Sequence, residues 1–191
     1  SAYFRRAFIR PANWGEIRTT QGRTCMKYIC YTCMTQIASP LEAGQKAPDF
    51  QTTIQDGSVR SMSDYKGKKL ALYFYPRDMT PGCTAQACNI TEHFGQLQES
   101  GIEVLGVSPD PAAKHLKFIN KYDLSFDLAC DEDKSVHQAF GVWGLKKFMG
   151  KEYDGTHRTT FLIDEAGTIH SVIKKPKTKD HTAEILAGFG L

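Results

Sequence analysis

Two cysteines, Cys83 and Cys88, stand five positions apart in the segment YPRDMTPGCTAQAC, residues 75–88. Thr80 followed by Pro81 is typical of a helix start, with Thr80 at the N-cap and Pro81 at the first helical position. This pattern places Cys83 in the first turn, where free backbone N–H groups and the helix dipole stabilise an anion. The sequence therefore predicts that Cys83 is held as a thiolate, which is the nucleophilic form of cysteine.

The spacing between the two thiols does not suit a disulfide in an intact helix. Their Cα atoms would lie about 8.7 Å apart on an ideal helix, whereas a disulfide tolerates about 7 Å at most. Either the two thiols never bond, or the first helical turns must unwind before they do. The second option would let Cys88 attack a sulfenic acid formed on Cys83 and close a disulfide.

Length and composition favour an ordinary globular protein. The 191 residues are enough for one domain with an extension, and 41% hydrophobic and 24% charged residues are near the averages of soluble proteins. The sequence contains no apolar stretch near the roughly 18 residues that a membrane-spanning helix needs, so we expect no membrane partner. The net charge of +3 is small and the charges are mixed, which predicts no nucleic-acid partner. The run KKPKTK at 174–179 is interpreted as a solvated turn.

The cysteines do not form the framework of a small secreted domain, because this chain is long enough to build a core without disulfides. We therefore expect a cytoplasmic protein in which some thiols are catalytic. Cys130 ends an apolar segment and is predicted to lie in the core. The six cysteines are unevenly spaced, at positions 25, 30, 33, 83, 88 and 130.

The first 33 residues are rich in arginine and contain one acid, Glu16, with no helical or alternating pattern. An organellar targeting segment has this composition, but Pro11 and Gly15 interrupt any amphipathic helix. An upstream stretch that is not native, with Met34 as the native start, is the preferred interpretation. We predict an irregular extension over residues 1–40 and a folded domain over residues 41–191.

Strands and helices alternate from Leu41 onward, which predicts an α/β domain with crossover connections. Its first feature is a hairpin at Asp56-Gly57, and Asp110 is predicted to cap a helix that starts at Pro111. A strand pair turns at Ala166-Gly167. The other predicted elements are strands at 68–76, 102–110 and 126–129 and helices at 84–99, 110–122, 134–140 and 181–188.

The segment FYPRDMTPGCTAQAC closely resembles the active-site segment of the peroxiredoxin Q, or bacterioferritin co-migratory protein, family. Its central motif, Pro-x-x-x-Thr-x-x-Cys, is met by Pro76, Thr80 and Cys83. The resemblance continues through GQKAPDF, GVSPD, FDLACDED and HRTTFLID and covers about three quarters of the chain. It implies a thioredoxin-like fold, in which helices flank a central mixed sheet, and a peroxidase that needs no metal or other cofactor.

The resemblance also implies a role for each matching residue. Cys83 would be the peroxidatic nucleophile and Cys88 the resolving thiol, so that the two form a redox-active disulfide within one chain. Thr80 would offer its hydroxyl to the peroxide, and Pro76 would shield the sulfur from water. Arg158 would hold the thiolate and, with the Gly82 and Cys83 amides, stabilise the leaving oxygen.

The family pattern implies an antioxidant enzyme that reduces hydrogen peroxide and organic hydroperoxides. Thioredoxin or a similar dithiol would regenerate it, and we expect a monomer rather than a dimer. Relatives commonly carry serine at the position of Cys130, and the N-terminal cysteines lie outside the family pattern. These extra thiols leave the identity of the resolving cysteine open, with Cys88 preferred.

Two other interpretations use the cysteines of the N-terminal segment. Cys30 and Cys33 form a C-x-x-C pair of the thiol-disulfide exchange type, but they do not follow a predicted strand. Cys25 together with this pair could bind zinc or an iron–sulfur cluster, although three ligands leave such a site one short.

Overall fold

The computed structural model describes residues 39–148 and 150–191, and the predicted extension with its three cysteines lies outside these residues. The boundary at residue 40 therefore stays a prediction. The strands are β1 (Gln51–Ile54), β2 (Val59–Ser61), β3 (Lys69–Phe74), β4 (Ile102–Ser108), β5 (Asp127–Cys130), β6 (Trp143–Phe148), β7 (Lys151–Thr156), β8 (Thr159–Ile163) and β9 (Ile169–Lys174). The helices are α1 (Pro81–Glu92), α2 (Phe94–Glu99), α3 (Ala112–Tyr122), α4 (Ser135–Ala139) and α5 (His181–Phe189), with a 3-10 turn at Met62–Tyr65.

Seven strands form one mixed sheet in the order β2-β1-β5-β4-β3-β8-β9. The central strands β3, β4 and β5 are parallel, whereas β8 runs antiparallel to β3 and β1 runs antiparallel to β5. The predicted mixed sheet flanked by helices is confirmed, as are the hairpin at Asp56-Gly57 and the pair that turns at Ala166-Gly167. The alternation of strand and helix along the chain was thus a sufficient signal for the fold class.

Strand β3 is buried on both faces, because apolar residues occupy every position from Leu70 to Phe74. Its side chains alternate between two cores, since neighbouring residues of a strand point to opposite faces. Leu72 and Phe74 pack in the core that includes α4, and Tyr73 packs in the core that includes Cys83. The sheet therefore presents Tyr73 and its neighbours to the helix that carries the two thiols.

Two local predictions are wrong. The helix predicted over 84–99 is two helices, because the backbone at His93 leaves the helical region (φ −111°, ψ 17°) between α1 and α2. Pro111, not Asp110, is the N-cap of α3. Asp110 instead accepts hydrogen bonds from the Asp78 amide at 2.6 Å and from Lys114 Nζ at 2.7 Å.

The hairpin of β6 and β7 forms a separate two-stranded sheet that the sequence pattern did not predict. Strand β7 is polar and mostly exposed, so it lacks the apolar periodicity that marks a buried strand. Strand β7 leads directly into the segment that carries Arg158.

Gly106 in β4 is required by the ring of Tyr73, its partner across the β3–β4 ladder. A Cβ atom at Gly106 would lie 2.8 Å from Tyr73 Cζ and 2.7 Å from Leu128 Cδ2. Only glycine leaves room for the tyrosine on this face of the sheet.

We predict that Gly106→Ala lowers the free energy of unfolding by about 1–3 kcal/mol, because the methyl group overpacks a closed core. Gly95→Ala is the control, since Gly95 is exposed in α2 and a Cβ there would meet no atom within 4 Å. That change should be neutral or stabilising by up to about 1 kcal/mol. Chemical denaturation measures both, and equal stability of the two variants would contradict the assignment.

Candidate active site

Cys83 lies in the first turn of α1 and is only 2% exposed. Thr80 occupies the N-cap and Pro81 the first helical position, as the sequence predicts. The first backbone hydrogen bond of the helix runs from the Thr84 amide to the Thr80 carbonyl at 2.8 Å. The Gly82 and Cys83 amides precede this bond and have no acceptor in the described part of the chain, so both donors remain available to an anion at the helix end.

Arg158 lies against the sulfur of Cys83, with Nη2 at 3.1 Å from Sγ. The residue precedes β8, whose first position, Thr159, pairs with Phe74 at the end of β3. The sheet register therefore brings Arg158 to the same edge as the loop that leads into α1. A guanidinium at this distance stabilises a thiolate over a neutral thiol by direct charge attraction.

Gln86 is a site residue that the sequence analysis missed. It lies one turn after Cys83 in α1, is fully buried, and its Oε1 accepts a hydrogen bond from Arg158 Nη1. Its spacing of three residues from Cys83 was the available signal, because such residues share one face of a helix. Arg158 is therefore held at two points of α1, by Gln86 and by the sulfur itself.

The Thr80 hydroxyl donates to the Arg77 carbonyl at 3.2 Å rather than to the helix or to Cys83. With its proton engaged there, Thr80 Oγ1 presents lone pairs and accepts rather than donates toward the active site. Pro76 lies in the loop between β3 and α1 and is partly exposed. Gly82 lies next to the Arg158 side chain, since a Cβ atom at Gly82 would be 3.5 Å from Nη2.

Cys88 lies near the middle of α1 as a free, partly buried thiol, and Cys83 is also free. Burial and the nearby Glu92 carboxylate raise the pKa of Cys88. The two cysteines thus have electrostatically opposite surroundings. The Arg158 guanidinium and backbone amides lie near Cys83, whereas the Glu92 carboxylate lies one helical turn after Cys88. The intact helix favours the neutral form of Cys88.

A buried polar network that the sequence analysis also missed fixes the loop before α1. The Tyr75 hydroxyl donates to Asp78 Oδ1 at 2.6 Å, and His115 Nδ1 donates to Asp78 Oδ2 at 2.7 Å. The other ring nitrogen of His115 lies 3.2 Å from the Ala129 carbonyl. Because both of these partners are acceptors, the geometry favours a doubly protonated imidazolium.

The electrostatics of His115 agree with this geometry. Burial alone lowers its pKa, but the hydrogen bond and charge of Asp78, together with a contribution from Cys130, raise it to about 9. Burial also raises the pKa of Tyr75 well above its usual range, so its hydroxyl remains a donor to Asp78. An ion pair of this kind holds both ends of the segment 75–78 against α3.

Cys130 is not a core residue, contrary to the prediction. It ends β5 and is partly exposed, where it lines a small cavity of about 290 Å³ with Thr52 and acidic residues that follow it. The polar turn after β5 opens this end of the strand to solvent. The structure thus places Cys130 outside the group formed by Cys83, Arg158 and Gln86.

Two negative findings concern only residues 39–148 and 150–191. These residues contain no group of three or more histidine, cysteine or acidic side chains arranged to hold a metal ion. None of their helices is both long enough and apolar enough to cross a bilayer. The interpretations built on Cys25, Cys30 and Cys33 concern residues that the structure does not describe.

Comparisons with known proteins agree with this geometry. The sequence profile of the AhpC/TSA family matches residues 43–172. The chain belongs to this family. It is 49% identical over 148 residues to the putative peroxiredoxin bcp of Haemophilus influenzae, covering 78% of this chain and 96% of the relative. It is 46% identical to the peroxiredoxin Bcp of Escherichia coli K12, covering 78% of this chain and 95% of that protein.

A solved structure of peroxiredoxin Q from Xanthomonas campestris superposes with a TM-score of 0.72 at 30% identity, covering 78% of this chain and 96% of that chain. The chain is therefore a thiol peroxidase of the Bcp, or peroxiredoxin Q, type with a thioredoxin fold. Its substrates are peroxides and its reductant is a thiol. The resemblance stated from the motif around Cys83 is confirmed.

We predict that the His115–Asp78 ion pair makes stability depend on pH. His115 has a pKa of about 9 in the folded chain and about 6.5 when unfolded. Its contribution is therefore complete below about pH 6.5, decreases as the pH rises, and is lost above about pH 9. Between pH 6.5 and 9.5, we expect the free energy of unfolding to fall by about 3 kcal/mol more in the wild type than in His115→Gln.

Urea denaturation at pH 6.5, 8 and 9.5 measures this difference. His170→Gln is the matched control, because His170 is exposed on β9 and makes no hydrogen bond to Asp78. Parallel pH profiles for the wild type and His115→Gln would show that His115 is not a buried cation.

Proposed function

We propose that Cys83 is the peroxidatic nucleophile of this enzyme and that Arg158 holds its thiolate. The contact of 3.1 Å between Arg158 Nη2 and Cys83 Sγ carries the proposal. The positive end of the α1 dipole and the guanidinium both favour an anionic sulfur. No acidic residue in the first turn of α1 opposes them. The thiolate is the form of cysteine that attacks an O–O bond.

In the proposed reaction the sulfur attacks one oxygen of a hydroperoxide. An S–O bond forms, the O–O bond breaks, and sulfur loses two electrons to become a sulfenic acid. The leaving oxygen departs as hydroxide or alkoxide and takes up a proton to become water or alcohol. Arg158 and the Gly82 and Cys83 amides stabilise the charge on that oxygen.

Thr80 and Pro76 have supporting roles in this scheme. Thr80 Oγ1 accepts a hydrogen bond from the O–H group of the bound hydroperoxide, because its own proton is donated to the Arg77 carbonyl. This hydrogen bond orients the oxygen that is attacked toward the sulfur. Pro76 limits the access of water to Cys83 from the loop between β3 and α1.

We propose that Cys88 resolves the sulfenic acid. Its thiolate would attack the Cys83 sulfur, so that an S–S bond forms and hydroxide leaves to become water. Both thiols lie in one continuous helix, and the expected separation of about 9 Å is too long for a disulfide. The first turns of α1 therefore unwind before the bond forms. Burial and the Glu92 carboxylate raise the pKa of Cys88 in the intact helix, and unwinding relieves both effects.

The remaining assignments extend the family relationship. We propose hydrogen peroxide and organic hydroperoxides as substrates, thioredoxin or a similar dithiol as reductant, and an antioxidant role. The active enzyme is proposed to be a monomer, since both proposed redox cysteines lie on one helix. A folded domain over 41–191 and a cytoplasmic location are proposed from the sequence alone.

Disulfide mapping after oxidation tests the two cysteine roles. Treatment with one equivalent of hydrogen peroxide should give a peptide that links Cys83 to Cys88. Cys83→Ser should abolish peroxide turnover, because no other thiol of the described chain contacts a guanidinium. Cys88→Ser should allow one round of oxidation and leave a sulfenic acid that dimedone traps on Cys83.

Cys130→Ser is the matched control and should turn over peroxide at the wild-type rate. A dominant product that links Cys83 to Cys130 would refute the assigned resolving thiol. Full activity of Cys83→Ser would refute the proposed nucleophile.

A further inference from the structure

A cavity of about 530 Å³ is lined in part by Arg158. Its described walls come from Pro40, Lys146 of β6, the residues around the start of β8, and the end of β9 with the segment that follows it. Four of the lining residues are cations, and the described lining contains no carboxylate. The four are Lys146, Arg158, Lys174 and Lys175. Positive charge that no acid neutralises therefore accumulates beside the residue that holds the Cys83 sulfur.

Lys146 is the most constrained of the three lysines. It is partly buried in β6, and its Nζ donates to the Thr156 carbonyl at 2.9 Å, two residues before Arg158. A Cβ at Gly155 would lie 3.3 Å from Lys146 Cδ, so glycine leaves space for the lysine stem. The hairpin thus holds this ammonium group against the end of β7, two residues before Arg158.

The electrostatic surroundings connect Lys146 to both members of the reactive pair. Burial and repulsion from Arg158 lower its pKa, whereas the Cys83 sulfur raises it. The other charged or titratable groups at the cavity are Lys174, Lys175 and His157, and His157 Nε2 lies 3.2 Å from the Leu145 carbonyl. An ammonium near a guanidinium is unfavourable unless an anion faces both.

The next residue in the sequence has ordinary surroundings. Lys147 points to the other face of β6, its side chain is 72% exposed, and its Nζ lies 3.7 Å from a Glu152 oxygen. Lys146 has no carboxylate within salt-bridge distance in the described chain. The contrast between these adjacent lysines indicates that Lys146 contributes to the site around Arg158, whereas Lys147 is an ordinary surface residue.

We propose that Lys146 is a second cation of the peroxidatic site and a positioning residue for the reaction. Its charge acts with that of Arg158 to favour the Cys83 thiolate and to stabilise the anionic leaving oxygen when the O–O bond breaks. Lys146 does not touch the sulfur, so its effect passes through the field in the cavity and through the placement of Arg158. The inference deepens the proposed function and depends on Cys83 being the nucleophile.

The test measures the oxidation rate of Cys83 by hydrogen peroxide in a Cys88→Ser background. Dimedone labelling of the Cys83 peptide, followed by mass, gives a residue-specific rate between pH 4 and 9. Lys146→Met should react about 5- to 20-fold more slowly at pH 6, the order expected when one nearby unit charge is removed. Its rate profile should also move to higher pH. Lys146→Arg should recover most of the rate, and Lys147→Met should match the parent.

The outcomes separate this inference from a structural role and from the function itself. If Lys146→Met and Lys147→Met have the same rate and pH profile, the inference is overturned, even if Lys146→Met is less stable. If Lys146→Met does not fold, Lys146→Gln is measured against the same criteria. If the parent protein itself forms no sulfenic acid on Cys83, the proposed nucleophile fails, and this inference fails with it.

Discussion

The hydrogen bond from Arg158 to the Cys83 sulfur is the interaction on which the proposed chemistry of this protein depends. Arg158 Nη2 lies 3.1 Å from Sγ, and the free amides of Gly82 and Cys83 face the same end of α1. Each contribution favours an anion, and the sulfur is almost completely buried. Because burial alone disfavours a thiolate, a reactive Cys83 requires these donors to be fixed in advance. Gln86 supplies that fixation by binding the second terminal nitrogen of Arg158.

The rest of the fold maintains this arrangement from two sides. The ladder between β3 and β8 sets the position of Arg158, while the ion pair of Asp78 with His115 secures the loop that leads into α1. That loop contains Met79 in the left-handed backbone region (φ 58°). Residues other than glycine adopt this conformation only at a cost in conformational energy. The buried network therefore offsets local strain next to the Cys83 sulfur. A rigid resting site contrasts with the unwinding that the proposed disulfide formation needs.

Most of the fold and the centre of the site were predictable from sequence. The apolar run of β3, the glycine-marked turns and the Thr80-Pro81 start of α1 are local signals, and the structure follows them. The partners of Arg158 and Asp78 were not predictable, because residues 72 and 37 positions away meet only through the sheet topology. Lys146 was not predictable for a related reason, because its hydrogen bond to the Thr156 carbonyl depends on the pairing of β6 with β7. The partial exposure of Cys130 was not predictable either, because it results from the polar turn after β5, which opens that end of the strand to solvent.

The reactivity of the Cys83 thiol, with Arg158→Met as the comparison, tests the central claim most directly. The iodoacetamide alkylation rate of the Cys83 peptide at pH 6, measured by mass, reports the reactivity of this residue alone. The account predicts that Arg158→Met reacts about 10-fold more slowly than the wild type, because the guanidinium that stabilises the anionic sulfur is removed. Equal alkylation rates for the two proteins would contradict the account.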